Sequence, residues 1–255
     1  MNDSINRFTR TVENYVKYRP HYPFAVVEFL QRACQLTQAW VVADIASGTG
    51  FLAEIFLQHG NRVIGVEPNA DMRAAGQHYL RNYPNFTSLS ATAEATTLDP
   101  HSVDLITAGQ AFHWFDREKS RQEFVRILKP DGWVALAWNL PKRDTPFMTD
   151  YEQIWLKYLA PQSRRNDSDT QVVEDELRAW YSPGAVNFES FDNFQTLEFE
   201  GLRGRVLSSS YSPTSEDPKY APMLDELEAI FQTHQAEGKV TIEYECRVCY
   251  GRLSG

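Results

Sequence analysis

The chain has 255 residues, of which 42% are hydrophobic and 23% charged, and its formal net charge is −9. No apolar run reaches the ~18 residues of a membrane span, and the polar N-terminus lacks the apolar core of a secretion signal. The negative charge argues against nucleic acid as a partner, because nucleic-acid binders usually carry a basic patch.

Strands and helices alternate through the first half of the chain. The hydrophobic pattern predicts strands over 40–46, 62–67, 86–92, 102–110 and 133–139, and helices over 51–59, 69–82 and 117–129. Asn69 or Asp71 is expected to cap the second helix, and a Pro-Asp-Gly turn at 130–132 precedes the fifth strand. Such alternation implies a parallel sheet with right-handed crossovers.

The pattern changes after residue 139. The sequence predicts two helices within 146–181 separated by a polar linker, a strand over 194–201, a helix over 216–236 and a last strand over 239–250. We interpret the whole chain, 1–255, as a single domain. Its predicted parts are an N-terminal segment (1–36), a core (37–139), a helical insertion over the carboxyl edge of the sheet (140–192) and a C-terminal strand-helix-strand (193–255).

Residues 41–50, VVADIASGTG, predict a strand followed by a tight turn and a helix. Gly48 and Gly50 lack a Cβ, so the backbone there can bend sharply and a ligand can approach closely. This is how open α/β sheets build nucleotide sites beyond the carboxyl ends of their strands. Gly48, Gly50 and Ala53, with Glu67 downstream, also satisfy a loose dinucleotide pattern, so a nicotinamide-dependent oxidoreductase is one alternative.

The three cysteines predict a reduced, cytoplasmic protein rather than a disulfide framework. Cys246 and Cys249 form a C-x-x-C within an alternating run that is typical of a strand. Residues three apart on a strand face opposite sides, and only Cys34 remains to complete a metal site. We therefore expect packed strand cysteines and no metal.

Five motifs together carry a family resemblance. They are YVKYRPHYP at 15–23, DIASGTG at 44–50, Glu67 followed by PNADM, TAEATTL at 92–98 and TAGQAFHWFD at 107–116. In order and spacing they resemble the class I S-adenosylmethionine-dependent methyltransferases, within them the type 11 small-molecule family. The resemblance implies a Rossmann-like α/β fold with a seven-stranded, mostly parallel sheet, helices on both faces and an antiparallel last strand. It also implies S-adenosylmethionine as donor, S-adenosylhomocysteine as product and a small-molecule methyl acceptor.

The resemblance assigns cofactor binding to residues of every motif, namely Tyr15, Tyr18, Arg19, Asp44, Ala46, Gly48, Gly50, Glu67, Pro68, Met72, Thr92, Ala93, Glu94 and Gln110. It implies that Asp44 orients the loop or meets the methionine ammonium, and that Glu67 accepts both ribose hydroxyls. Arg19 is expected to pair with the methionine carboxylate. Tyr15 and Tyr18 lie on one face if their segment is helical, where they can close over the cofactor.

Other assignments concern the adenine and the sulfonium. Met72 is expected on the adenine face, with Ala93 and Glu94 at its edge, and Gln110 beside the sulfonium. Thr92 replaces the aspartate that the family often has. Ala46 replaces a glycine, and because alanine disfavours positive φ, we expect a right-handed conformation there.

The acceptor side is less specific. His113 is a candidate general base, with a structural or substrate-lining role as the alternative. Aromatic residues of the insertion (Trp155, Tyr158, Trp180, Tyr181), residues 208–213, Trp138 and Asn139 can line an acceptor pocket, or the aromatic side chains can fill the insertion's own core. A non-catalytic donor-binding module and a tRNA-modifying enzyme are further alternatives. Neither the methylated atom nor the oligomeric state follows from the sequence.

Overall fold

The structure is a computed structural model that describes residues 12–159, 170–209 and 211–253, without the side chains of 12, 13 and 170–173. Its helices are α1 (Val12–Tyr18), α2 (Ala25–Cys34), α3 (Phe51–His59), α4 (Ala70–Tyr79), α5 (Arg117–Ile127), α6 (Pro146–Tyr158), α7 (Thr170–Tyr181), α8 (Phe199–Leu207) and α9 (Tyr220–His234). Its strands are β1 (Val41–Ile45), β2 (Arg62–Val66), β3 (Phe86–Leu89), β4 (Val103–Gly109), β5 (Leu128–Pro141), β6 (Val186–Leu197) and β7 (Val240–Gly251).

The strands form a seven-stranded sheet in the order β3-β2-β1-β4-β5-β7-β6. The pairs β1-β2, β1-β4, β2-β3 and β4-β5 are parallel, and β7 is antiparallel to its neighbours. The predicted fold class is therefore confirmed, because the sheet is mostly parallel and its last strand runs the other way.

Each central strand supplies side chains to two apolar cores. Val42 of β1 lies in a core with α2 and α3 residues such as Leu30 and Phe56. Ile45 of β1 lies in the other core, with Phe124 of α5. Because successive strand residues face opposite sides of a sheet, these two cores place helices on both faces, as predicted.

The chain divides into two compact units. The sheet unit comprises His21–Asn139, Asp169–Phe191 and Cys246–Gly255, and the helical unit comprises Met1–Pro20, Leu140–Ser168 and Asp192–Glu245. The helical unit has its own apolar core, which includes Tyr151 of α6, Val206 of α8, Leu227 of α9 and Tyr244 of β7. The predicted insertion, 140–192, is thus split between the units at residue 168. The single methyltransferase domain stays a prediction.

Some predicted boundaries are wrong. Strand β5 begins at Leu128, five residues before the predicted start, so Pro130-Asp131-Gly132 lies inside it. These three residues interrupt the regular pairing of β4 with β5 instead of ending the strand. Asp131 has a φ of +67° at this point. A bulge of this kind adds residues to one strand without ending it.

The region after residue 185 differs more strongly from the predicted secondary structure. Strand β6 already begins at Val186 and ends at Leu197, whereas the prediction placed a strand over 194–201. Helix α8 then begins at Phe199, immediately after Glu198. The apolar residues Phe199, Leu202 and Val206 have helical spacing, but the first residues of FEGLRGRVL also continue the alternation of FQTLEFEG, so they were predicted as strand. Helix α9 begins at Tyr220, later than predicted.

Strand β7 has the predicted character. Cys246 packs in the core with α2 and α3, and Cys249 packs in the core with α5. The two thiols therefore face opposite sides of the sheet. Within the described ranges, no helix combines the length and the apolar character needed to cross a membrane.

Candidate active site

The glycine loop connects β1 to α3 through a series of left-handed residues. Gly48 and Gly50 have φ values of +54° and +89°, as glycine there allows. Ala46 has a φ of +53°, so the prediction of a right-handed conformation at this position is wrong. The chain turns out of β1 at Ala46, at a local cost of roughly 1–2 kcal/mol for an L-residue. The Ser47 N–H, 3.1 Å from the carbonyl oxygen of Val66, ties the turn to β2.

Glu67 follows β2 and supports the glycine loop directly. Its Oε2 accepts from the Gly48 N–H at 2.9 Å, and its Oε1 accepts from the Asn69 N–H at 2.8 Å. The side chain is buried, and this burial raises its pKa above the ordinary value. Each carboxylate oxygen accepts more than one hydrogen bond, so both retain capacity for a ligand hydroxyl.

Asp44, the last polar residue of β1, is 1% exposed. Its Oδ1 accepts from the Thr107 hydroxyl of β4 at 3.0 Å, whereas its Oδ2 is buried without a hydrogen-bond partner among the described residues. Burial raises the pKa of Asp44 to about 7, although the Thr107 hydrogen bond and, to a smaller degree, the Ala53 backbone N–H act to lower it. A buried acceptor oxygen of this kind calls for a donor, and an ammonium group would supply both a donor and a charge.

Helix α4 packs closely against the loop. The Asn69 side chain caps the helix, since its Oδ1 accepts from the N–H groups of Asp71 and Met72 at 3.0 and 2.9 Å. A Cβ at Gly76 would lie 2.9 Å from the carbonyl oxygen of Gly48. Met72 is buried, and its Cε lies 3.4 Å from the position of a Cβ at Gly48. The structure thus brings Gly48, Glu67 and Met72 together.

The turn after β3 contains the predicted adenine-edge residues. Ala93 is buried, and Thr92 pairs with Ala95 in an isolated bridge. The Oε1 of Glu94 accepts from the Asp116 N–H at 3.0 Å. Glu94 therefore connects this turn to the start of α5, a role that the sequence did not indicate. Pro68 follows Glu67, and its carbonyl oxygen lies 3.4 Å from Arg73 Nη1.

Gln110 and His113 lie just beyond β4. Gln110 has a φ of +54°, and its Nε2 donates to the carbonyl oxygen of Asn139 at 2.9 Å. His113 lies in a 3₁₀ helix, Phe112–Trp114, with its ring tilted against Trp114. Desolvation and the Arg117 guanidinium lower the pKa of His113 below its ordinary value. The imidazole is therefore neutral at pH 7, and the same shift makes it a weaker base than an ordinary histidine.

Residues 15–20 of the N-terminal motif belong to the helical unit, whereas its last three residues and the glycine loop belong to the sheet unit. Tyr15 and Tyr18 lie in α1, so their segment is helical. Arg19 donates from Nε to the Ser208 hydroxyl at 3.0 Å and from Nη2 to the Ser208 carbonyl at 3.3 Å. The contacts of Tyr15, Tyr18 and Arg19 with a cofactor remain a prediction.

The aromatic side chains of the predicted insertion fill apolar cores. Trp180 and Tyr181 pack with the core that contains Phe124, and Trp155 and Tyr158 pack in the core of the helical unit. Trp180 Nε1 donates to the carbonyl oxygen of Arg117 at 2.8 Å. Trp155 and Tyr158 thus pack in the core of the helical unit, whereas Trp180 and Tyr181 pack in a core of the sheet unit rather than in a core of the insertion itself.

Two supporting residues escaped sequence reasoning. Thr107 holds Oδ1 of Asp44, and Arg73 donates to the carbonyl oxygen of Glu67 at 2.9 Å. In the sequence, Thr107 is the first residue of the fourth-strand motif and Arg73 is a charged residue of a predicted helix. Neither pattern indicates a contact with Asp44 or Glu67. Within the described part of the chain, no group of three or more His, Cys, Asp or Glu side chains could hold a metal ion.

The chain is similar in sequence to known methyltransferases. Residues 43–136 match a family model described as a methyltransferase domain. The chain is 26% identical over 247 residues to an uncharacterised methyltransferase-like protein of Schizosaccharomyces pombe, covering 94% of this chain and 93% of that protein. It is 29% identical over 229 residues to an uncharacterised methyltransferase of Mycobacterium tuberculosis, covering 90% and 87%.

A solved structure has the same fold. It comes from Anaeromyxobacter dehalogenans, is provisionally described as a type II methyltransferase, and superposes with a TM-score of 0.66 at 19% identity, over 92% of this chain and 98% of that one. The sequence matches favour a methyl transferase over the oxidoreductase alternative. Together with the motifs and the fold, they support a class I S-adenosylmethionine-dependent methyltransferase of the type 11 family.

Proposed function

We propose that the sheet unit binds S-adenosylmethionine at the glycine loop and that the protein methylates a small organic acceptor by in-line displacement. The observation that carries the donor site is the buried Oδ2 of Asp44, which lacks a hydrogen-bond partner among the described residues. The methionine ammonium of the donor provides the missing hydrogen bond and offsets the charge that burial disfavours.

Other contacts fit the rest of the donor. The carboxylate of Glu67 has remaining acceptor capacity for the ribose hydroxyls, and it is already held in place by the Gly48 and Asn69 N–H groups. Met72 offers a soft, buried side chain to the adenine face. Ala93 is proposed to lie at the adenine edge with the turn that Glu94 anchors.

Bound S-adenosylmethionine supplies an electrophilic methyl group on a good leaving group. The protein then has to hold the acceptor in line and keep water away, and orientation of this kind contributes ~7–11 kcal/mol in favourable cases. Gln110 is proposed to present a neutral amide near the sulfonium, positioned by its bond to the Asn139 carbonyl. His113, neutral at pH 7, is the candidate base for an acceptor that must lose a proton.

The experiment uses calorimetry on the purified full-length protein. S-adenosylhomocysteine should bind, NADH should not, and Glu67→Ala should abolish S-adenosylhomocysteine binding while the exposed Glu28→Gln, in α2, leaves it unchanged. Binding of NADH alone would overturn the proposal. A panel of small acids, phenols, amines and thiols, with tRNA included, is then incubated with donor labelled on its methyl group. Label on a small molecule supports the acceptor class, label on tRNA alone contradicts it, and binding without label on any acceptor would indicate a sensor.

A further inference from the structure

Helix α5 carries a buried acidic residue, Glu123, whose side chain binds the turn after β3. The residue is 8% exposed. Its Oε1 accepts from the backbone N–H of Thr96 at 2.8 Å and from the Thr96 hydroxyl at 2.5 Å. Thr96 belongs to residues 92–98, the adenine turn, which includes Ala93. Glu123 therefore attaches α5 to the turn at which the adenine is proposed to lie.

Arg126, on the same helix, completes this attachment. Its Nε donates to Oε2 of Glu123 at 2.7 Å, and its Nη2 donates to Oε1 of Glu123 and to the carbonyl oxygen of Leu98, each at 2.8 Å. The Thr96 hydroxyl also accepts from the Leu98 N–H at 3.3 Å. Hydrogen bonds from Arg126 and Thr96 lower the pKa of Glu123 to about 2, against the effect of burial. The carboxylate is therefore ionised at neutral pH, which strengthens each of these bonds.

A second bond attaches the adenine turn to the start of α5. The Oε1 of Glu94 accepts from the backbone N–H of Asp116 at 3.0 Å. Asp116 is the N-cap of α5, and its side chain accepts from the Lys119 N–H at 3.2 Å. Asp116 and Glu123 are two helical turns apart, which is about 10 Å along the helix axis. One rigid helix thus holds the adenine turn at two separate points.

The backbone of the adenine turn has a conformation that needs support. Thr92 pairs with Ala95 in an isolated bridge rather than within a strand. Thr97 has a φ of +62°, which is unfavourable for a β-branched residue. Such a conformation persists only where surrounding contacts determine it. Its neighbour Thr96 is fully buried and bound to Glu123, so Glu123 supplies contacts of this kind.

Recognition of a purine edge depends on a fixed pattern of hydrogen-bond donors and acceptors. Adenine has an amino donor at C6 and an acceptor at N1, whereas hypoxanthine has a carbonyl acceptor at C6 and an N–H donor at N1. A site that is rigid leaves its own buried polar groups unpaired when the wrong base binds, and this penalty gives selectivity. A turn that moves can adjust to either base, so its position has to be held for the penalty to arise.

We propose that Glu123 is a positioning residue that makes the donor site selective for adenine by fixing the adenine turn. The inference rests on the proposed binding of S-adenosylmethionine by the sheet unit. Glu123 acts through Thr96 and Leu98 and does not itself contact the donor. Helix α5 holds the other part of the turn through the bond between Asp116 and Glu94.

The test is calorimetry on the full-length protein with two nucleosides, S-adenosylhomocysteine and S-inosylhomocysteine, in which hypoxanthine replaces adenine. The wild type should prefer S-adenosylhomocysteine by at least about 30-fold. Glu123→Gln should lower this preference about tenfold, mainly by weakening S-adenosylhomocysteine binding. The reason is that the NH₂ group of glutamine then faces Thr96 or Arg126, and both of these residues present donors.

Two substitutions at Thr96 separate selectivity from stability. Thr96→Val keeps the volume of the side chain and removes the hydroxyl that binds Glu123, so it should lower the preference about three- to tenfold. Thr96→Ser keeps the hydroxyl and removes a buried methyl group, so it should lower the melting temperature and leave the preference unchanged. If Glu123→Gln does not fold, this pair of variants carries the test.

Asp104→Asn is the matched control for Glu123→Gln. The Oδ2 of Asp104 accepts from the Val41 N–H and from Lys129 Nζ, each at 2.8 Å, so this carboxylate also joins a cation to a backbone N–H. Asp104 lies near the start of β4, and Val41 begins β1, whereas the glycine loop follows the other end of β1. The control should lose stability and keep the preference for adenine.

Three results would overturn the inference while the donor site stands. One is that Glu123→Gln and Thr96→Val are less stable than the wild type but equally selective. Another is that Asp104→Asn or Thr96→Ser loses as much selectivity, because the loss would then follow from destabilisation in general. The third is that the wild type binds both nucleosides equally well. If the wild type binds neither nucleoside, the proposed function itself fails, and the inference fails with it.

Discussion

The backbone N–H of Gly48 donates to Oε2 of Glu67 at 2.9 Å. This single bond joins the glycine loop after β1 to the acidic residue after β2, which the sequence presents as two motifs nineteen positions apart. Glu67 is consequently a loop support as well as the proposed ribose acceptor. A change at Glu67 should therefore alter the loop even when no donor is bound.

Glu67→Gln should weaken S-adenosylhomocysteine binding by about 10- to 100-fold, since one buried N–H of the loop loses its acceptor. The amide can accept from the Gly48 or the Asn69 N–H, but its NH₂ group then faces the other donor. Calorimetry at pH 7.5 measures the effect, and loop amide exchange in the absence of ligand should rise in parallel. An unchanged affinity together with unchanged exchange would show that the carboxylate supports neither.

Gly76→Ala should reduce donor affinity about tenfold, although residue 76 is not a proposed ligand contact. An alanine Cβ would lie 2.9 Å from the Gly48 carbonyl oxygen, which is too close for two groups of rigid backbone. Alanine otherwise favours a helix over glycine by roughly 1 kcal/mol. Titration with S-adenosylhomocysteine checks this, with the exposed Gln77→Ala on the same helix as control. Equal affinity in both variants would contradict the expected shift of the loop.

Asp44→Asn should stabilise the ligand-free protein, and more so at high pH. The folded-state pKa of Asp44 is raised to about 7 from 3.8, so folding disfavours its ionised form. The penalty is absent below the unfolded pKa, grows between pH 4 and pH 7, and above pH 7 reaches at most about 4 kcal/mol. Urea unfolding at pH 5 and pH 8 compares the two proteins. A difference in the free energy of unfolding that does not increase with pH would contradict the buried-carboxylate assignment.

Donor binding should release a proton from Asp44. Because the ammonium pairs with the ionised carboxylate, affinity should rise by up to about tenfold per pH unit below pH 7 and level off above it. Calorimetry in two buffers with different ionisation enthalpies counts the proton directly. Asp44→Asn should bind more weakly and release no proton near pH 7. Equal proton release by both proteins would assign the titration to another group.

Gly204→Ala should destabilise the helical unit by about 1–3 kcal/mol, because the new methyl group overlaps the Tyr18 ring. Gly201→Ala on the same helix is the matched control, since a Cβ there would meet the flexible side chain of Leu197 at 3.1 Å. Adding Tyr18→Ala should recover part of the loss in a double-mutant cycle. Strict additivity of the two changes would show that the two residues are not in contact.

The sequence predicted the core of the fold because its elements are local and strongly patterned. Helix α3 has the predicted bounds, β1 and β4 are one residue shorter than predicted at each end, and β2 ends one residue earlier than predicted. Strand β5 differed at its start because Pro130-Asp131-Gly132 normally ends a segment, yet pairing with β4 continues around it. Tertiary pairing overrode local turn chemistry there.

Less of the candidate site could be predicted. The motifs located Asp44, Gly48 and Glu67, but the hydrogen bond of Thr107 to Asp44 depends on the register of β1 against β4, which no local pattern encodes. The prediction for Ala46 was wrong because it used only the intrinsic preference of alanine for negative φ. The structure has a positive φ at Ala46, next to the hydrogen bond from the Ser47 N–H to the Val66 carbonyl oxygen.

The placement of Cys246 and Cys249 in separate cores makes the thiols useful to the experimenter. Burial raises the pKa of Cys34, Cys246 and Cys249 to about 12, so almost no thiolate exists at neutral pH. Alkylating reagents should consequently modify these sulfurs only when the sheet unit opens. The rate of modification of these native cysteines then measures how often the sheet unit opens on either side of the sheet. A lower rate in the presence of S-adenosylhomocysteine would report ligand binding without an engineered probe.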